Sequence, residues 1–289
     1  MTPHFTLGPR TAVAVVAAAL LLGGGHPADA QGRLKAHYRI SMTAVTIGQV
    51  AWTVDIGDGV YTTSASGQAS GLMSMFVNGD GGVAASGTVE NGVPIPSAFT
   101  SKIVDEDGRT ELRIAFANGI ARETIVQGMA APKDRVPITD QHRRGVTDPL
   151  SAVLIPGAIE AGNLAQSNCE RVLAIFDGRR RYNLVLSYKR HERVTLATGY
   201  SGQALVCGVV LQPLAGYRTD SLLVKYVSDR RDMELWFVPL IGTAVMAPIR
   251  IMMPTALGTL KIEADDFTTV ARPPAPPPAE MAPNDAPER

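Results

Sequence analysis

The chain has 289 residues, of which 45% are hydrophobic, 19% charged and 6% aromatic, and its 27 basic and 27 acidic side chains give a formal net charge of zero. The lack of a basic excess argues against a nucleic-acid-binding protein, and the hydrophobic fraction is too high for a disordered chain. Two cysteines are too few for a disulfide-stapled miniprotein or a four-thiolate zinc site.

The first thirty residues have the pattern of a secretory signal. A short, positively charged start precedes the apolar run 11–22, and Ala28, Asp29 and Ala30 form a small-x-small cleavage site. The apolar run is shorter than the about 20 residues of a membrane-spanning helix, so the alternative of an uncleaved anchor is disfavoured. We therefore predict a signal peptide at 1–30, a mature chain from Gln31 and a periplasmic location.

Within the mature chain, residues 31–271 are predicted to form a single β-rich domain of about 13–15 short strands separated by turn dipeptides. The clearest hairpin joins 110–116 to 120–126 through Asn118-Gly119, and a second joins 171–176 to 182–188 through Asp177-Gly178. This pattern of strands and tight turns predicts an all-β, mainly antiparallel fold. The expected form is a strongly curved sheet, barrel- or spiral-like, because long sheets rarely stay flat.

One or two short helices are predicted within this sheet. At 148–155, Thr147 or Asp148 can cap a helix, Pro149 suits its first turn, and Pro156-Gly157 ends it. The segment 72–76 is either a second short helix or an apolar patch.

No membrane-spanning segment is predicted after signal removal. The apolar stretch 237–255 is interrupted by three prolines and Arg250, which favours two strands over a membrane span. An outer-membrane barrel is a further alternative, but the chain ends in the polar, proline-rich segment 272–289, not in an aromatic-capped strand. We predict that this tail is disordered, with a spacer or a peptide ligand as the alternative.

Cys169 and Cys207 are the only cysteines, and in an exported chain they are predicted to form an intramolecular disulfide. The bridge would close a loop of roughly 39 residues and stabilise the fold by about 4 kcal/mol. A redox-active pair is the weaker alternative because the two cysteines lack the C-x-x-C spacing.

No metal, cofactor or catalytic motif stands out. The mature histidines, His37, His142 and His191, are far apart, and neither a zinc-binding helix motif nor a G-x-S-x-G elbow is present. A dispersed catalytic site is still compatible with the sequence.

Two sets of residues are candidates for ligand binding. A basic set can form an anionic-ligand patch, or else protect exposed strand edges. It comprises Arg179, Arg180, Arg181, Lys189, Arg190 and Arg193. An apolar set can line a cavity, or else belong to the core. It comprises Trp52, Met73, Met75, Phe76, Trp236 and Phe237.

Several short motifs occur in an order that is typical of one family. They are GTVENGVPIP at 87–96, TDPLS at 147–151, FDGRRRY at 176–182, LVC at 205–207, PIR at 248–250 and TALG at 255–258. In this order, the region from about Leu34 to Phe267 resembles the exported bacterial family called domain of unknown function 3108. The resemblance implies a β-rich periplasmic domain and supplies no reaction.

We predict a non-catalytic periplasmic protein that acts in cell-envelope maintenance by binding a lipid or other amphiphile, or an envelope protein. Nucleic acid is not an expected partner. The alternative is a hydrolase that acts on envelope polymers through a dispersed site.

Overall fold

The computed structural model describes residues 31–69, 80–105, 108–128 and 134–271. The predicted signal peptide, the segment 72–76 and the proline-rich tail lie outside the described residues. The strands are β1 Gly32–Met42, β2 Val45–Gly57, β3 Val60–Ala69, β4 Asp80–Glu90, β5 Val93–Asp105, β6 Gly108–Ala117, β7 Ile120–Gln127, β8 Ile155–Pro156, β9 Ile159–Glu160, β10 Asn163–Leu164, β11 Val172–Phe176, β12 Arg181–Thr195, β13 Ser201–Ala215, β14 Met233–Pro239, β15 Val245–Thr255 and β16 Gly258–Ala271. The α-helices are α1 Pro149–Ala152 and α2 Leu222–Asp229.

Thirteen strands follow one path, which runs from β11 to β16 and then from β1 to β7, and β8 pairs with β15 beside it. Neighbouring strands are antiparallel throughout, and the first and last strands of the domain are adjacent, with Leu34 opposite Thr269. The sheet curls until it is nearly closed into a barrel. The predicted fold class, an all-β and strongly curved antiparallel sheet, is confirmed.

Both predicted hairpins are present. β6 and β7 are joined at Asn118 and Gly119, which have φ angles of 52° and 67°. Positive φ at both central positions is the conformation that Asn-Gly favours in a tight hairpin. β11 and β12 are joined by the turn at 177–180.

The seam between the outer strands β7 and β11 is bridged by the connection that follows β7. Arg144 lies opposite Ile120 of β7 in an isolated bridge. Thr147 then donates its N–H to the Ala174 carbonyl at 2.9 Å and accepts from the Phe176 N–H at 2.9 Å. The same short segment therefore ties the two edges of the sheet together.

The buried residues form three clusters. The first lies between the middle strands of the sheet and includes Leu34, Trp52 and Trp236, and the third surrounds Phe99 and Phe176. The second contains Phe237 and both cysteines. Cys169 and Cys207 form a disulfide with a Cα–Cα distance of 5.4 Å, which links a 3₁₀ turn at Gln166–Cys169 to the middle of β13. The covalent link fixes the turn to the sheet.

The helices match the prediction only partly. α1 lies within the predicted segment 148–155 but has only four residues, and Asp148 caps it by accepting the N–H groups of Leu150 and Ser151, each at 2.9 Å. α2 was not predicted.

The apolar stretch 237–255 forms the end of β14, a turn and β15, as predicted. In the described part of the chain, no helix is both long enough and apolar enough to span a membrane.

Candidate functional site

A groove of about 430 Å³ opens where β4, β5 and β6 meet α1 and the 177–180 turn. Its floor is apolar and is formed by Val83, Phe99, Ile103, Leu112 and Leu150. We call this surface the groove floor. It continues into the third core cluster, to which Phe99 and Leu112 belong.

The sheet register explains how the groove floor forms. Side chains two residues apart on a strand project from the same face, and directly paired residues of neighbouring strands share that face. Ser101 of β5 is paired with both Val83 of β4 and Leu112 of β6, and Ile103 is paired with Thr110. Consequently, three adjacent strands present one continuous surface to the groove.

The position of α1 above this surface depends on buried polar contacts. Tyr61 of β3 and Ser151 of α1 are both buried, and their hydroxyl oxygens are 2.6 Å apart. Asp148 is fully buried, and only its Oδ1 accepts hydrogen bonds from the described residues, while its Oδ2 is shielded from solvent without a partner among them. Burial raises the pKa of the Asp148 carboxyl group, an effect that the hydrogen bonds from Ser151 and Leu150 partly oppose.

Two arginines stand at the border of the groove. Asp177 Oδ1 accepts the backbone N–H groups of Arg179 at 2.9 Å and Arg180 at 2.6 Å, and this closes the turn. The Arg180 guanidinium lies 5.6 Å from the ring centre of Tyr217, within the range of a cation–π contact. Arg179 and Arg180 both line the groove, so we call residues 177–180 the arginine turn.

The other members of the predicted basic patch lie elsewhere. Arg181 is buried and donates to the Tyr182 carbonyl and to Asn183 Oδ1. Lys189 and Arg190 both bind Glu234, at 2.8 and 3.0 Å, and Arg193 is exposed further along β12. Only Arg179 and Arg180 are brought together at the groove.

The predicted apolar set is also divided. Trp52 and Trp236 are packed in the first core cluster, and Phe237 is packed in the second. Met73, Met75 and Phe76 lie outside the described residues. The three described members therefore pack in the core, away from the groove.

The geometry gives the hydrolase alternative no support. Ser151 contacts Tyr61 and the Asp148 cap, and among the described residues no serine is hydrogen-bonded to a histidine. Within the same residues, no group of three or more histidine, cysteine or acidic side chains is placed to hold a metal ion.

The family model "Protein of unknown function (DUF3108)" matches residues 37–265. The chain belongs to this family. The resemblance inferred from the sequence motifs is thereby confirmed, and the family description names no activity. No curated protein matches the chain.

Among solved structures, this DUF3108 protein is similar to one described as the crystal structure of a beta-barrel-like protein of domain of unknown function DUF1849 from Brucella abortus. The two share 12% sequence identity with a TM-score of 0.47, and the match covers 83% of this chain and 98% of the other.

The groove-floor residues of this DUF3108 protein were not identified from its sequence. They come from three strands and a helix, and each apolar residue taken alone has the pattern of a core residue. The available signal was the strand alternation in β5 and β6, which places Phe99 and Ile103 on one face of β5. That signal cannot show that α1 leaves part of this face uncovered.

Proposed function

We propose that this DUF3108 protein is an exported periplasmic protein that binds an amphiphile in the groove and contributes to cell-envelope maintenance in this way. The observation that carries the proposal is an apolar floor open to solvent and bordered by two adjacent arginines. Ile103 is 47% exposed there, although it lies beside buried Leu112 and Phe99. A concave apolar surface with a few polar groups at its border is typical of a small-molecule site.

The proposed binding mode follows from the two surfaces of the groove. The alkyl chain of the ligand packs along the groove floor, where each buried methylene group contributes about 0.8 kcal/mol. The polar head stays at the border, beside the arginine turn. An amphiphile satisfies both surfaces at once.

The proposed envelope location rests on the sequence pattern of the first thirty residues. The sequence at 1–30 has the pattern of a secretory signal. The disulfide is compatible with an oxidising compartment. The signal pattern concerns export and the disulfide concerns the redox state of the compartment, so neither observation depends on the groove.

The test is isothermal titration of the mature chain, purified from the periplasm, with sodium decanoate below its micelle concentration. Ile103→Asp places a carboxylate on the groove floor and should weaken binding at least about tenfold, because an alkyl chain cannot solvate a charge. Ile125→Asp is the matched control, since Ile125 is 42% exposed on β7 and does not line the groove.

Saturable binding that Ile103→Asp impairs and Ile125→Asp leaves intact supports the proposal. Either of two results overturns it: no binding of decanoate by the unmodified chain, or an equal loss of binding in both variants. Far-ultraviolet circular dichroism of each variant shows that the sheet is retained.

A further inference from the structure

A second cleft, of about 320 Å³, lies between the start of β5, the short strand β8 and the start of β11. We call it the edge cleft, and its lining includes residues 93–96, 155–156 and 171–174. Among the described residues, none lines both this cleft and the groove. The lining is largely apolar, and two of its side chains, Val93 and Val172, are 44% and 55% exposed. The edge cleft is therefore an open apolar surface separate from the groove.

One wall of the edge cleft is an unpaired strand edge. In an antiparallel pair, alternate residues of a strand direct both N–H and C=O to the same neighbour. The Leu186 N–H donates to the Arg171 carbonyl at 2.9 Å, and by this alternation Val172 and Ala174 direct their groups away from β12. Thr147 uses the Ala174 carbonyl. The Val172 N–H and C=O and the Ala174 N–H have no partner in the described part of the chain.

The opposite wall is protected against strand pairing, whereas this edge is not. Pro94 and Pro96 of β5 line that wall and have no N–H to donate. β11 has the sequence VLAIF and contains no proline or charged residue. Exposed edges in native sheets are usually blunted by such residues. The start of β11 is therefore the side of the cleft at which a further strand can pair.

A cation lies at the beginning of this edge. The Arg171 Nε donates to the Asn168 carbonyl at 2.6 Å, and the turn that carries Asn168 is linked to β13 by the disulfide. Within the described residues no carboxylate pairs with the half-buried Arg171, and burial lowers its pKa. An arginine nevertheless stays charged at neutral pH. A carboxylate is the group that would complement it, through charge-assisted hydrogen bonds.

We propose that the edge cleft binds the carboxyl-terminal end of an extended protein segment, which pairs with β11 and places its terminal carboxylate beside Arg171. The segment runs antiparallel to β11, because its carboxyl end must lie where β11 begins. Its residue opposite Val172 presents its side chain on the same face of the sheet. The exposed apolar surface there favours an apolar residue at that position.

The backbone groups of the edge decide between a peptide and other occupants. An alkyl chain would cover the apolar walls but leave the N–H and C=O groups of β11 without hydrogen bonds, whereas an added strand satisfies both. The proline-rich segment 272–289 of this chain is a poor strand partner, because prolines cannot donate to a ladder. A protein segment from another chain fits the cleft best.

The experiment is isothermal titration of the mature chain with forms of one peptide, acetyl-threonyl-valyl-threonyl-valine. The free acid should bind at least about tenfold more tightly than the carboxyl-terminal amide, because only the acid offers a carboxylate to Arg171. Two further forms carry N-methyl groups on both valines or on both threonines. Since only alternate residues of an added strand donate to β11, one of these forms should lose at least about tenfold in affinity and the other much less.

One variant and a matched control locate the carboxylate. Arg171→Gln should remove the preference for the acid over the amide and leave the affinity for the amide unchanged, which a merely structural role would not do. Arg193→Gln is the control, because Arg193 is exposed on β12 and does not line the edge cleft. It should leave both affinities unchanged.

Several outcomes would overturn this inference. They are no binding of the free acid at about 1 mM, equal affinities for acid and amide, and equal effects of the two methylation patterns. Displacement of the peptide by sodium decanoate would show that the cleft holds an alkyl chain, and would overturn it as well. The groove proposal is tested separately, because Ile103→Asp should leave peptide binding unchanged.

Discussion

Gly178 lies so close to Leu112 that a methyl group on the glycine would overlap the leucine side chain. Gly178 also has a φ of +87°, a conformation that residues with a Cβ rarely adopt. The contact joins the arginine turn to the groove floor, since one residue belongs to each. The contact therefore fixes the position of the arginine turn, proposed to face the ligand's polar head, relative to the groove floor, proposed to hold its alkyl chain.

This contact can be tested by Gly178→Ala, with Gly59→Ala as the matched control. Gly59 has a φ of +71° and no atom within 4 Å of the position of an added methyl group, so it carries the backbone strain without the overlap. We expect Gly178→Ala to lower the free energy of unfolding by about 1–3 kcal/mol more than the control, which is the usual cost of overpacking. Urea unfolding measures the free energy of unfolding of both variants. Equal decreases would show that the Leu112 side chain moves aside without a measurable loss of stability.

The disulfide should be a major contributor to stability. Replacing both Cys169 and Cys207 by alanine should lower the free energy of unfolding by about 2–5 kcal/mol, because the bridge restricts the unfolded chain. Reductant should destabilise the unmodified protein and leave the double variant unchanged. Alkylation of the unreduced, urea-unfolded protein should label neither cysteine, and labelling of both would show that the bridge does not form.

The buried carboxyl group of Asp148 should make stability depend on pH. Because its folded-state pKa is raised, the folded protein retains the proton as pH rises above about 4, where an unfolded aspartate ionises. This contribution is present in acid and is lost as pH rises through the folded-state pKa. Asp148→Asn keeps the Oδ1 acceptor but cannot ionise.

The stability of the unmodified protein relative to Asp148→Asn should therefore fall as pH rises. Asp220→Asn provides a control of opposite sign, because hydrogen bonding and charge pairing with Arg218 lower the pKa of Asp220. Its contribution is present above the unfolded-state pKa and is lost in acid. Urea unfolding across a pH series measures both, and a flat difference for Asp148→Asn would contradict the account.

Glu234 should contribute more to the free energy of unfolding than Asp232 does. Its side chain is only 15% exposed and binds both Lys189 and Arg190. Glu234→Gln should cost about 1–3 kcal/mol, because Lys189 loses its carboxylate and Arg190 keeps only that of Glu192. Asp232→Asn breaks only an exposed pair with Arg230 and should cost less than about 1 kcal/mol. Thermal unfolding distinguishes them, and a larger loss for Asp232→Asn would contradict the ranking.

The elements that the sequence predicted correctly depend on local chemistry. Asn118-Gly119 favours a tight hairpin whatever surrounds it, and Asp148 with Pro149 specifies a helix start within a few residues. α2 was not predicted although its sequence is amphipathic, because its eight residues are too few to establish a helical period. Leu222 and Leu223, the first two residues of α2, are 81% and 65% exposed.

The candidate site was only partly predictable because it is assembled from distant parts of the chain. The cluster of arginines at 179–181 was visible in the sequence, but the direction of each side chain was not, and Arg181 is turned into local hydrogen bonds. Val83 and Leu112 were missed because they meet in the groove floor only through the pairing of their strands with Ser101 of β5. Such pairing depends on the register of the whole sheet.

The most direct measurement of the central claim is methyl nuclear magnetic resonance of the mature chain during titration with sodium decanoate. We expect shifts for the methyl groups of the groove floor, those of Val83, Ile103, Leu112 and Leu150, and none for Val206 and Val238 in the first core cluster. Absent shifts on the groove floor, or equal shifts in the core, would contradict it.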